Sequence, residues 1–113
     1  MSDTMDRQKV WTDFRDAVNI APAKLEAWLK TPESSEVGWS GDGEKESVGH
    51  HSGRRIVEIL RTRRAELDDE DYSHMRKVVG YVHRHLAQRP DGDISETRWR
   101  YSLMNWGHDP EKD

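Results

Sequence analysis

The stretch Asp69-Glu70-Asp71-Tyr72-Ser73-His74-Met75-Arg76-Lys77-Val78-Val79-Gly80-Tyr81-Val82-His83-Arg84-His85-Leu86-Ala87-Gln88 decides the fold class. Tyr72, Met75, Val78, Val79, Val82 and Leu86 recur at the period of an α-helix that buries one face. The carboxylates from Asp68 to Asp71 suit the positive end of the helix dipole, which accounts for them more simply than a metal or acid/base role. Pro90 ends the pattern, so the spacing predicts a long helix from about Asp69 to Gln88.

Beyond this helix, Pro90-Asp91-Gly92-Asp93 reads as a turn. Ser95 can then cap a last helix that groups Trp99, Leu103 and Trp106 and stops at Gly107, with Pro110 just beyond. Upstream, Ile56, Val57, Ile59 and Leu60 mark a helix that starts between Ser47 and Arg54, with Ser52 as the candidate cap, and runs to about Ala65. The helical angle of Arg63 turns it toward the apolar side, so either that helix has ended by then or Arg63 pairs with a carboxylate at the interior edge. Val10, Trp11, Phe14, Ala17 and Val18 share a face between Asp6 and Asn19. Pro22 opens another helix with Leu25, Trp28 and Leu29 inside, and Thr31-Pro32 closes it. The expected fold is all-α, a compact single-domain bundle of about five helices over residues 1–113, with residues 1–5 and 109–113 as flexible ends.

Between Thr31 and Gly49 the periodicity vanishes, and four Gly, one Lys and five acidic residues point to a long loop over residues 31–49. Trp39 stands in it, either packing back on the body or meeting a partner.

The whole chain has 113 residues with Leu, Ile, Val and Phe at only 19 of them, a level at which disorder becomes an alternative. The charge balance argues against disorder, because 18 basic residues oppose 22 acidic ones for a net −4. Five Trp, four Met and three Tyr must supply much of the core. Without Cys there is no disulfide framework, thiolate nucleophile or Cys-ligated metal. No apolar run is long enough for a membrane span, and Met1-Ser2-Asp3 lacks a basic, hydrophobic leader, so a cytoplasmic protein with no membrane partner is expected.

Functional signal lies on the faces turned away from the apolar stripes. On the long helix, Lys77, Tyr81, Arg84 and Gln88 form one line, with His74 and His85 on its flank and Gly80 beside it. Cations there can neutralise phosphates while the ring and amide stack or hydrogen-bond. A wide second core layer, with Tyr81 inside and Gly80 admitting a neighbouring helix, explains the same residues. On the last helix Arg98, Tyr101 and Asn105 share a face, with Arg100 on the flank. Arg and Asn are side chains that read guanine and adenine edges, and a solvated face accounts for them as well.

Residues 50–101 carry a net +2 against −4 for residues 1–49, which suits a nucleic-acid face on a weakly acidic chain. Gly38 and Gly43 are spaced as in a phosphate loop, but Glu44 stands where Lys is required. No His pair has the i, i+4 spacing of a helical metal site, and no nucleophile has a recognisable base, so neither an enzyme, a metal nor a cofactor is expected.

The segments Gly49-His50-His51-Ser52-Gly53-Arg54-Arg55, Tyr72 through Pro90, and Arg98-Trp99-Arg100-Tyr101 through Gly107-His108-Asp109-Pro110 resemble an uncharacterised family, number thirty-one forty of the domain-of-unknown-function series. The resemblance extends upstream to Leu25-Glu26-Ala27-Trp28-Leu29-Lys30 and Val18-Asn19. Members are sometimes labelled DNA-binding proteins, which implies a DNA partner but assigns no residues. Ala21 departs from the family pattern, which usually places Ser or Thr before Pro22.

The leading expectation is a small module that binds double-stranded DNA, with Lys77, Arg84, Arg98 and Arg100 on phosphates and Tyr81, Tyr101 and Asn105 nearer the bases. A protein-interaction or scaffold domain without a nucleic-acid partner is the alternative. Nothing in the sequence fixes the oligomeric state.

Overall fold

The computed structural model describes residues 6–37 and 47–112. Within them the chain forms α1 (Arg7–Ala17), α2 (Pro22–Leu29), α3 (Pro32–Glu36), α4 (Val48–Arg61), a single 3₁₀ turn (Arg64–Glu66), α5 (Asp69–Leu86) and α6 (Arg98–Asn105), and no strand. The fold is all-helical; α5 and α6 are the fourth and fifth helices expected from the sequence.

Short polar side chains start most of the helices by accepting the backbone N–H groups that the first turn leaves unpaired. Asp6 accepts from Lys9 N, Thr31 from Ser34 N, Ser47 from His50 N and Thr97 from Arg100 N. At α5 the Asp68 carboxylate accepts from Asp71 N at 2.9 Å while Asp71 accepts from Asp68 N at 3.1 Å, a reciprocal capping box. Ala21 leaves α2 without a side-chain cap, and Pro22 at the first position needs no partner for an N–H.

Three boundaries differ from expectation. The cap of α4 is Ser47, whereas Ser52 lies inside the helix, and α6 is capped by Thr97 and not Ser95. The α4 helix ends at Arg61, where Thr62 turns to extended backbone and bonds its hydroxyl to the Glu58 carbonyl at 2.6 Å. Arg63 therefore lies past the helix and is exposed. The segment 31–49 is not loop throughout, because Pro32–Glu36 is helical and Val48 already belongs to α4. Trp39 and the rest of 38–46 lie outside the described residues, as do residues 1–5.

The helices pair by nesting. The most extensive contact joins α1 to α5, the next joins α2 to α4, and α6 touches α2, α3, α4 and α5. Phe14, Leu25, Ile56, Met75, Val78 and Leu103 are fully enclosed where these pairs meet. Gly53 lets α4 and α6 approach, since a Cβ there would sit 2.6 Å from the Asn105 carbonyl oxygen and 2.7 Å from Leu29.

Gly107, at φ +84°, closes α6 in the left-handed conformation that glycine adopts without steric cost. His108 N bonds to the Leu103 carbonyl and Gly107 N to that of Met104, the two bonds of a Schellman motif. The turned chain then fastens to the end of α1. Gly107 O accepts from Asn19 N and Ile20 N, His108 Nδ1 donates to Ala17 O at 2.7 Å, and Asn19 exchanges two hydrogen bonds with the backbone of Asp109. Asp109 to Lys112, expected to be a flexible end, is thus tied down; Lys112 Nζ donates to Asn19 O.

Candidate nucleic-acid interface

One face of α5 remains open between the sides covered by α1 and α6. Arg76 and His83 stand on one side of Gly80, Lys77 and Arg84 on the other, at the three- and four-residue spacings that align helical side chains. All four flanking side chains are exposed. From Tyr72 to Pro90 the sequence contains no Asp or Glu. Among the described residues no carboxylate forms an ion pair with Arg76, Lys77 or Arg84. Of the carboxylates at the start of α5, Asp69 pairs with Arg7 and Asp71 with Arg55 at 3.0 Å, while Glu70 is exposed and lines a shallow cavity together with Lys77.

Gly80 does not admit a neighbouring helix. A Cβ at that position would meet only the guanidinium of Arg84, with Nη1 at 3.0 Å, so the Arg84 tip lies back over the helix surface.

Tyr81 faces away from this strip, into a row of near-parallel rings. Trp99 and His85 lie 5.6 Å apart, His85 and Tyr81 5.1 Å, Tyr81 and Trp106 4.2 Å, and Trp106 and His74 6.4 Å, with every interplanar angle 15° or less. The row joins α5 to α6. A reciprocal pair locks its outer end, the Trp99 indole donating to His85 O at 2.8 Å and His85 Nε2 donating to Trp99 O at 3.1 Å. Burial pushes the Tyr81 hydroxyl above its ordinary pKa, opposed by a hydrogen bond with Ser102, and burial lowers the pKa of His85. Tyr81 is therefore a core-facing ring, as in the second-layer reading, and does not stand nearer the bases.

The α6 residues are also committed elsewhere. Asn105 is 1% exposed; its Oδ1 accepts from Trp28 Nε1 at 2.8 Å and from Ser34 Oγ, and its Nδ2 donates to Ser34 O at 3.0 Å. It cannot reach a base edge. Tyr101 lies half-buried against Trp28, ring centroids 5.4 Å apart. Arg100 holds Asp109 through two bonds of 3.1 and 3.0 Å, donates to Ser95 O at 2.8 Å and approaches Glu111. Its guanidinium is consequently not open to phosphate. Arg98 is exposed but donates to the Glu36 carbonyl at 3.0 Å.

Of the seven residues singled out in the sequence, Lys77 and Arg84 share the open strip and Arg98 is exposed on another helix. Tyr81, Arg100, Tyr101 and Asn105 serve contacts within the fold. Arg76 and His83 belong to the strip and were missed; the acid-free run from Tyr72 to Pro90 was the available signal.

Spacing could not have shown that Ser52 Oγ and His74 Nε2, 22 residues apart, meet at 2.9 Å. His74 is held down to a pKa of about 4, chiefly by burial and further by the Arg55 and Lys77 charges, so it is neutral near pH 7. Ser52 is 2% exposed, so this contact ties α4 to α5, while the His74 ring lines an open cavity of about 480 Å³ with Arg55, Glu70 and Lys77. Among the described residues no group of three or more His, Asp or Glu is placed to hold a metal ion, and no helix is long and apolar enough to cross a membrane.

A family model described as protein of unknown function (DUF3140) matches residues 13–104, from the middle of α1 through nearly all of α6. No curated protein and no solved structure matches the chain.

Proposed function

The chain belongs to the DUF3140 family of proteins of unknown function, and on that premise we propose that it is a non-enzymatic module that binds double-stranded DNA through the outer face of α5. The observation that carries the reading is the strip formed by Arg76, Lys77, His83 and Arg84, exposed and without carboxylates between Tyr72 and Pro90. Unpaired cations on an otherwise acidic chain are the complement of a phosphate backbone, and binding releases the counterions condensed on the duplex. Three Lys or Arg contacts and a net charge of −4 predict weak binding, with a Kd on the order of 10⁻⁵ M at physiological salt. A cytoplasmic location suits such a partner.

A labelled duplex titrated at low and moderate salt tests the proposal. Binding should weaken as salt rises, with a logarithmic slope of about −0.9 per phosphate neutralised. Lys77→Glu together with Arg84→Glu should abolish binding while leaving the helical content unchanged, because both side chains are exposed. No binding at low salt, or binding indifferent to salt, overturns the reading.

A protein-interaction module is the second reading, favoured by one feature. Between α2 and α4 runs a groove of about 560 Å³ with Leu29 and Val57 among its lining and Glu26, Lys30, Glu58 and Arg61 around them. A strictly monomeric chain that co-purifies with no protein would count against it.

A further inference from the structure

We infer that the α5 strip recognises the sugar–phosphate backbone of duplex DNA without reading its sequence and in preference to single strands. This rests on the DNA reading above and specifies the form of DNA it takes.

Of the side chains suited to reading bases, the fold withdraws four and leaves on the strip only Arg76, Lys77 and Arg84, too few to define a sequence. Asn105 has both its amide atoms bonded in the core, Arg100 is clamped on Asp109, and Tyr81 and Tyr101 lie against Trp106 and Trp28. Gln88, though exposed, comes after α5 has ended. What remains is Arg76, Lys77, His83 and Arg84 around Gly80. Arg84 is folded over Gly80 and does not extend outward, so its charge sits at the helix surface, where a backbone phosphate can meet it. Phosphate contacts of this kind fix position and supply affinity, but carry no sequence information.

Single-strand binding needs aromatic faces on which unpaired bases can stack. Each Trp and Tyr ring among the described residues already carries a ring or a guanidinium. Trp11 has Arg15 and Arg64, Tyr72 has Arg7, Trp28 has Tyr101, and Trp99 has His85 and Arg89. Tyr81 and Trp106 face each other at 4.2 Å. Among the described residues no Trp or Tyr ring lies open beside the cations and only the smaller His83 imidazole is exposed there, so the strip favours a duplex, whose bases are already stacked.

Competition against a labelled 20-base-pair duplex on the full chain decides the point. Unlabelled duplexes of equal length and unrelated sequence should compete within about twofold of one another, since each base contact would otherwise discriminate by ~1–3 kcal/mol. The corresponding single strands should compete about tenfold less well or worse. The variant Arg76→Gln/Lys77→Gln/Arg84→Gln should weaken binding to every duplex by one common factor and flatten the salt slope by about 0.9 per cation removed. One duplex competing tenfold better than the rest, or a single strand or double-stranded RNA displacing the probe better than duplex DNA, overturns the inference while leaving DNA binding intact. A probe that never binds at low salt gives no signal to compete, and overturns the underlying DNA reading instead.

Discussion

The indole of Trp28 donates to the side-chain oxygen of Asn105 at 2.8 Å, across 77 residues of sequence, and the hydroxyl of Ser34 shares the same acceptor. Three helices, α2, α3 and α6, are joined at one buried amide. Asn105→Ala leaves the Trp28 N–H, the Ser34 hydroxyl and the Ser34 carbonyl without this partner. Since each orphaned buried group costs about 1–3 kcal/mol, a loss of about 2–4 kcal/mol is expected, read as a lower urea midpoint.

Two mid-helix glycines should respond oppositely to alanine. At Gly53 the added methyl meets the Asn105 carbonyl and Leu29 inside 3 Å, and the backbone cannot give way cheaply. Gly53→Ala is expected to cost more than ~2 kcal/mol or to prevent folding. At Gly80 only the flexible end of Arg84 must move. Gly80→Ala should therefore gain about 0.5–1 kcal/mol of helix propensity. Thermal melts of the two variants separate the cases.

Stability should fall as pH drops from about 6.5 to about 4. In this window the unfolded chain protonates His74 at its ordinary pKa of 6.5, whereas the folded chain keeps it neutral down to about 4. The unfolded state then binds more protons, so its share grows as pH falls. The contribution is fully present above 6.5, and its loss is on the order of 1–3 kcal/mol. His85, lowered by burial, acts with the same sign. Urea denaturation at pH 7 and pH 4.5 should show the decline. His74→Gln, which keeps a hydrogen-bonding partner for Ser52, should reduce it.

The Arg100–Asp109 pair holds the chain end against α6. Burial opposes ionisation of Asp109, yet the Arg100 guanidinium and the Glu111 N–H keep its pKa below the ordinary carboxylate value. The stability this supplies is complete above about 3.8 and is lost as pH falls through the lower folded value. Arg100→Lys removes the two-pronged geometry that an ammonium cannot reproduce, and should cost about 1 kcal/mol. Amide hydrogen exchange should quicken at Asp109, whose N–H is held by Asn19.

Where one apolar face drives burial, the fold was legible in the sequence. The stripe from Tyr72 to Leu86 placed α5 to within two residues of its observed end, and Gly107 stopped the last helix as read. The α3 helix escaped notice because Pro32–Glu36 carries no apolar stripe; its buried residue is Ser34, anchored by hydrogen bonds. Asn105 was misplaced for a related reason. Opposite Leu103 and Trp106 on a helical wheel, it reads as outward, but α6 is covered by α2 and α3 on that side as well. One-faced periodicity cannot reveal a helix packed on two faces. The Arg76, Lys77 and Arg84 strip was partly visible as charge, whereas the removal of Tyr81 from it depended on the position of Trp106, which only tertiary structure supplies.

The nesting of α2–α4 inside α1–α5 bears on the order in which the protein can form. Bringing α1 to α5 first would close a loop of about fifty residues at once, while prior docking of α2 on α4 shortens the free chain that remains between them. Such separations put the two most extensive helix contacts between segments distant in sequence, and non-local contacts slow folding. Substitutions at Leu29 or Ile56, within the inner pair, should then act mainly on the folding rate. Those at Phe14 or Met75, in the outer pair, should act mainly on the rate of unfolding, making the α1–α5 seam the clasp that sets the lifetime of the native state.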